Sequence, residues 1–186
     1  MEDSRIITLY WQRDESALVL TRARYGAYCR EIAWHILQDR EDAAECENDT
    51  YWRAWQRMPP DRPHGLRPYL GAITRHLALD RWRASHADKR GGGEVALSLE
   101  ELGACVGTAH SVEDEAERTV LAALLSAFLG SLPRAECDLF VRRYWYMDSV
   151  AQIAARYGYS ESKVKMTLKR TRDKLRSRLE KEGYTL

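Results

Sequence analysis

The sequence predicts an all-α protein made of two small helical domains joined by a flexible acidic linker, with a helix-turn-helix as the C-terminal domain. Three observations carry that expectation. Apolar residues recur at three-four spacing along nearly the whole chain, and no period-two stretch bounded by turn residues interrupts them. A triple glycine, Gly91-Gly92-Gly93, opens a weakly periodic acidic stretch that separates two such regions. Near the C-terminus, two capped helices are spaced by a short turn that contains glycine.

The first helix reads from Ala17, Val19 and Leu20 through Tyr25, Tyr28, Cys29, Ile32, Ala33, Ile36 and Leu37, one apolar face at helical spacing. Asp39-Arg40-Glu41-Asp42 interrupts it. Asp39 can cap a second helix, with Asp42 in its first turn, where negative charge is favourable, and this helix runs past Trp52 and Trp55. Met58-Pro59-Pro60-Asp61-Arg62-Pro63-His64-Gly65 must be a loop, because three prolines cannot continue a helix. After Pro68, the set Tyr69, Leu70, Ile73, Leu77 and Trp82 marks a third helix that ends between Arg83 and Lys89. The expected domains are therefore residues 1–90 and 120–186, with 91–119 as the linker. In the second domain, Leu121, Leu124, Leu125, Phe128 and Leu129 form one helix. Pro133 is placed as the first residue of the next, which carries Cys137, Phe140, Val141 and Tyr144.

Ser149 with Gln152 forms a capping box for a short helix that closes at Tyr157-Gly158, and Ser160 is placed to cap the last helix. Ile153, Ala154, Tyr157, Tyr159, Val164 and Leu168 form the expected seam between the two. The last helix buries Val164, Leu168, Leu175 and Leu179. Its other faces present Ser162, Lys163, Lys165, Thr167, Lys169, Arg170, Arg172 and Arg176, donors suited to phosphates and to base edges in the major groove.

Composition narrows the function classes. The 186 residues, 45% of them hydrophobic, exclude collagenous and mainly disordered chains and suffice for two small cores. No run approaches the roughly 20 apolar residues of a membrane span, and Met1-Glu2-Asp3-Ser4-Arg5 does not open a signal peptide, so no membrane insertion and a cytoplasmic location are expected. Four cysteines without a Cys-x-x-Cys pair point to reduced, mostly buried thiols. Six Trp and ten Tyr against two Phe favour rings with a polar handle, which suit binding surfaces. The net charge of +1 hides blocks of opposite sign: −5 over 36–50, +4 over 66–90, −6 over 91–119 and +5 over 160–186. Two basic blocks separated by an acidic one suggest two surfaces for a polyanion.

With these residues in place, the chain resembles a sigma factor of bacterial RNA polymerase, of the extracytoplasmic-function (ECF) class of the sigma-70 family. The resemblance covers nearly the whole chain in two blocks. Asp39-Arg40-Glu41-Asp42-Ala43-Ala44-Glu45 through Asp49-Thr50-Tyr51-Trp52-Arg53-Ala54-Trp55 is similar to the family's acidic-to-aromatic helix, and Tyr69 through Arg83 is similar to its promoter-reading helix. Leu132-Pro133, Arg143-Tyr144, Ile153-Ala154, Gly158-Tyr159-Ser160-Glu161 and Val164-Lys165 follow in the family's order and spacing.

The resemblance implies roles. Asp42, Glu45, Asn48, Asp49 and Trp52 would dock core RNA polymerase, on the clamp helices of its largest subunit, with the flap as a further contact. Arg62, His64, Arg75, His76, Asp80 and Arg83 would engage the −10 element of promoter DNA, where flipped bases enter pockets and exposed bases stack on aromatic or guanidinium planes. Ser162, Lys163, Lys165, Thr167, Lys169 and Arg170 would read the −35 element as duplex. The acidic linker would thread the polymerase along the path of the nascent RNA. The family is often regulated by an anti-sigma factor that occludes both units, and the resemblance extends that expectation to this chain. Trp52, Trp55 and Trp82 are candidates for DNA contact, with a core role the stronger expectation for Trp55. The chain departs from the family pattern at His76 (usually Asn), at Asn48 (usually Gln), and at Met166, Thr167 and Lys169 (usually Ser, Arg and His), which bears on the promoter sequence rather than on the fold.

Two other classes compete. One is a helix-turn-helix regulator that acts without polymerase, which has no evident use for the acidic helix, the Pro-rich loop and the linker together. The other is a helical-bundle metalloenzyme using Glu31 with His35, Glu41 with Glu45, or Asp61 with His64; the chain has no Glu-x-x-His pair of the kind a di-metal bundle uses. The expectation is a non-catalytic specificity subunit without cofactor or metal.

Overall fold

The structure, a computed structural model, describes residues 2–86, 93–106 and 115–184, and every regular element among them is helical. The chain divides into two compact units, residues 1–90 and 91–186. No described helix is long and apolar enough to cross a membrane.

In the first unit, α2 (Ser16–Leu37), α3 (Arg40–Arg57) and α4 (Leu66–His86) pack on one another, and α1 (Asp3–Trp11) lies against α2. The expected helices and the Pro-rich loop are in place, with α4 beginning two residues before Pro68, so that the proline falls in the first turn, where its missing N–H costs nothing. α1 precedes the first helix expected from the sequence. It buries Ile6, Ile7 and Tyr10 in a core with Ala17, Tyr25, Cys29, Ala54, Met58, Leu66 and Leu70. Asp39 caps α3 as expected, its carboxylate accepting from the backbone N–H groups of Glu41 and Asp42.

Polar contacts between buried positions set the helix packing. Glu47, only 2% exposed, accepts from the Tyr51 hydroxyl and from Nε of Arg30, each at 2.7 Å, and so ties α3 to α2. The buried hydroxyls of Thr50 and Thr74 meet at 3.0 Å across α3 and α4. Gly71 of α4 comes so close to the ring and hydroxyl of Tyr28 that a Cβ there would clash. Burial raises the thiols of Cys29 and Cys46, to about 11 and about 12, which fits the expected inert, reduced state.

The N-terminus is fastened by Asp3. Its carboxylate accepts from the backbone N–H of Leu66 at 2.8 Å and from the Tyr25 hydroxyl, with Arg24 at 3.6 Å. Burial raises its pKa, but the two hydrogen bonds and Arg24 outweigh that effect and hold it below the ordinary 3.8.

In the second unit, α6 (Glu115–Ser131), α7 (Arg134–Tyr144), α8 (Val150–Tyr157) and α9 (Glu161–Lys181) share a core of Phe128, Leu139, Phe140, Tyr144, Ile153, Ala154, Val164, Leu168, Leu175 and Leu179. Pro133 is the N-cap of α7 rather than its first helical residue, one position earlier than expected. The acidic segment expected as linker over 91–119 is helical where the structure describes it: α5 (Gly93–Val106) packs on α7 and α9, and residues 115–119 open α6. α5 sinks Val95 and Ser98 into this unit and packs Leu102 against its core. Its acids meet Arg143, whose side chain is 0% exposed: Glu94 at 2.6 Å and Glu101 at 3.3 Å, with the carbonyl of Asp148 at 3.1 Å. Glu101 also accepts from the Tyr144 hydroxyl at 3.0 Å and from Arg172 at 3.3 Å.

Two outcomes are expected. Glu101→Ala leaves a buried guanidinium short of its counter-charge and should destabilise the second unit by about 2–4 kcal/mol. Hydrogen exchange should show protection lost in α7 and α9 and unchanged in α2 to α4. Asp3→Asn should lower the melting temperature at neutral pH. Because the folded pKa of Asp3 is depressed, the stability it contributes is present above the ordinary carboxylate value and is lost as pH falls through the folded one. The gap between the two proteins should therefore close as pH drops below 3.8.

Candidate functional site

Three groups of side chains face outward from these helices, two on the first unit and one on the second. On α3, Ala43, Cys46, Glu47, Thr50, Tyr51 and Ala54 face the interior. Asp42, Glu45, Asp49 and Trp52 follow one another at three- and four-residue steps on the opposite side, with Asn48 next to Asp49 on the same face. Asp42, Glu45 and Asn48 are exposed, and Asp49 is half-buried. Trp52 is 60% exposed, an indole with no place in the core. The acidic side chains on this face do not all stand free. Arg81, reaching over from α4, bonds Glu45 at 3.0 Å and also Asp49, while Arg22 of α2 bonds Asn48. The sequence counts six acids in this stretch, but Glu47 is turned inward and Glu45 and Asp49 are partly neutralised by Arg81. Trp55 packs against the core beside Tyr10, with the Arg13 guanidinium 5.3 Å from its ring, so the expected core role holds.

The second group lies on α4 and the loop before it. His76, Asp80 and Arg83 share one exposed face, where Asp80 lies 3.2 Å from Nε2 of His76 and accepts from Arg83 at 3.4 Å. Arg75 lies away from them on the flank of α4, its Nε shut off from solvent. Burial, with a smaller contribution from Arg83, brings its guanidinium down to about 10. In the loop, Arg62 covers the Trp11 ring at 5.2 Å, and the Trp11 indole N–H donates to the carbonyl of Asp61 at 3.1 Å. His64 is exposed. Between the end of α3 and α4 lies a cavity of about 270 Å³, lined by Arg53, Arg57, Tyr69, Ile73, His76 and Leu77. Tyr69 is fixed by donating to Asp61 at 2.8 Å. Arg53, Arg57 and Tyr69 are absent from the expected set. The i, i+4 arginines closing α3 are the signal that could have found them.

The third group is the helix-turn-helix. The capping box is complete: the Ser149 hydroxyl accepts from the Gln152 backbone at 3.1 Å, and the Gln152 side chain accepts from the Ser149 backbone at 2.7 Å. Gly158 closes α8 in the left-handed conformation, φ 66°, which glycine adopts without the strain of a Cβ. Ser160 caps α9 through the backbone N–H of Lys163 at 3.2 Å. α9 buries Val164, Leu168, Thr171, Leu175 and Leu179. Ser162, Lys163, Lys165, Lys169 and Arg170 are exposed, and Thr167 is half-buried on the flank. The ammonium of Lys163 sits 3.5 Å from the centre of the Tyr159 ring, and Lys165 lies 3.7 Å from Glu161. Arg172, expected among the outward donors, is turned inward. It donates to the Tyr144 hydroxyl at 2.5 Å and to Glu101, because two carboxylates of α5 bring negative charge to that side of the unit.

Of the metal-ligand candidates considered from the sequence, several have protein partners, among them Glu45 with Arg81. Glu31 and His35 are 3.9 Å apart as an i, i+4 pair, with the Trp34 ring edge-on to the imidazole, and Asp61 is held by Tyr69.

Residues 22–87 match the model for Sigma-70 region 2, and residues 128–177 match that for Sigma-70, region 4; together the two matches take in more than half of the chain. No curated protein matches it. The first match spans α2 through α4 with the loop between them, and the second runs from the end of α6 through most of α9. Ser149→Ala removes one half of the capping box and should cost about 1 kcal/mol, whereas Ser149→Gly should cost only a few tenths. Thermal unfolding of the two variants checks the difference.

Proposed function

A chain that carries sigma-70 region 2 followed by sigma-70 region 4 belongs to the sigma-70 family of transcription-initiation factors, which associate with core RNA polymerase and promoter DNA, and from that membership we propose that it is an ECF-class sigma factor. It confers promoter specificity on the polymerase and has no catalytic part of its own. The observation that carries the reading is the pairing, in one chain and in this order, of an outward acidic face ending in an exposed tryptophan with a capped helix-turn-helix whose second helix is basic.

The docking face is Asp42, Glu45, Asn48, Asp49 and Trp52, set against the clamp helices of the largest subunit. Complementary charge there speeds association and fixes register, while the indole supplies desolvated contact area. Asp42 is exposed at the start of α3, so a basic partner reaches it most directly. The −10 element is engaged by Arg62, His64, His76, Asp80 and Arg83. The cavity beside His76, with Tyr69, Arg53 and Arg57 among its walls, offers an aromatic ring and two guanidinium groups to an unstacked base. Arg75 belongs to the same proposed set, with its Nε turned away from solvent on α4. The −35 element is read by α9 from Ser162 to Arg170, with the polymerase flap as a further contact of the second unit. An anti-sigma factor that covers both units would block polymerase and promoter together.

A helix-turn-helix regulator acting without polymerase would use the second unit alone and would leave Trp52 exposed to no purpose.

Transcription from a genomic fragment library by purified core polymerase, with and without the chain, tests the proposal when RNA 5′ ends are sequenced. New starts should appear that share two upstream elements at fixed spacing. Trp52→Ala or Asp42→Lys should weaken polymerase binding. Arg170→Ala should keep it and weaken promoter binding by about 1–3 kcal/mol if it meets a base edge, or flatten the salt slope by about one unit if it meets phosphate. DNA binding without any new start would move the assignment to the regulator.

A further inference from the structure

α9 carries one feature that neither its basic character nor its packing accounts for. Met166 is 49% exposed and is the one large apolar side chain standing in solvent on this helix among the described residues. Its position is particular. Val164, Leu168, Thr171 and Leu175 fix the inward direction of the helix. At 100° per residue, Met166 falls almost directly opposite them, one turn after Ser162 and one turn before Lys169 and Arg170. It is thus at the centre of the outward face, in the second turn of the helix that the proposed function places in the major groove.

The neighbouring cations leave it projecting. Lys163, three residues earlier, rests on the Tyr159 ring, and Lys165 pairs with Glu161 at the helix start. An isolated exposed methionine on a protein surface needs no explanation. One at the middle of a groove-facing helix meets base edges, and the one apolar group those edges display is the C5 methyl of thymine. The unbranched, polarisable thioether adapts its shape to such a methyl.

We propose that Met166 is a specificity-determining residue that reads a thymine in the upstream promoter element by packing on its C5 methyl group. The inference rests on the sigma-factor reading above and adds to it one base preference and the side chain that enforces it.

The test keeps the full chain bound to core polymerase. Duplexes randomised across the upstream element are selected on this holoenzyme, and each thymine of the selected element is then replaced in turn by deoxyuridine, which removes only the methyl. One replacement should weaken binding about three- to five-fold, the value of one buried methyl. Met166→Ala should bind the thymine and deoxyuridine duplexes equally, while Met166→Leu, still apolar, should retain the discrimination. Because the side chain is exposed, these variants should unfold at the same temperature as the parent, so a lost preference is not lost folding. Equal binding of thymine and deoxyuridine at every position by the parent chain overturns the inference, as does a methyl penalty that survives in Met166→Ala; in both cases the sigma reading stands. Failure to select any element dependent on this chain overturns the sigma reading and this inference with it.

Discussion

A charge taken into the interior of a small helical unit has to bring its counter-charge with it, since an unpaired buried ion costs several kcal/mol. Each unit of this chain holds at least one such charge. In the first it is Glu47, held between Arg30 and Tyr51. With Glu47 turned toward α2, the rotation of α3 is set, and the series from Asp42 to Trp52 has to face outward. In the second, Arg143, the largest fully buried side chain among the described residues, draws in Glu94 and Glu101, and buried Asp148 pairs with Arg142. The outward face of α3 follows from the charged side chain that this helix has internalised, and that of α9 from its buried stripe.

The parts of the structure that sequence alone makes legible are those set by nearby residues. The capping box at Ser149 and Gln152, the left-handed Gly158, the Ser160 cap and the Asp39 cap each need partners no more than four residues away, and all are where the pattern puts them. The Pro-rich break between α3 and α4 is equally local. What escapes a reading of the sequence depends on distant partners. α1 is short, and Asp3 at its start is satisfied by Leu66, 63 residues on. The acids of residues 91–119 read as the charge of a flexible linker, and two of them have partners at Arg143 and Arg172, more than forty residues away. Composition alone cannot separate a charge that meets solvent from one that meets a buried guanidinium.

The same difference governs the candidate site. The outward residues of α3 and α9 can be found from periodicity, because the buried stripe defines its own opposite. Which of them stand free cannot. Arg172 sits among basic residues in the sequence and is consumed by Glu101 and Tyr144, and Arg75 has its Nε shut off from solvent. The cavity walled by Arg53, Arg57 and Tyr69 forms only where the end of α3 meets α4, a junction that no single segment announces.

Arg81 belongs to the helix proposed to meet DNA, yet its guanidinium is bound to two acids of the face proposed to meet polymerase. The two surfaces therefore draw on a common charge. Whatever attracts Glu45 and Asp49 toward a basic partner releases a cation beside the nucleic-acid face, and whatever draws Arg81 toward phosphate restores full negative charge to the docking face. In the proposed reading, a substitution at Arg81, Glu45 or Asp49 would therefore bear on both surfaces at once.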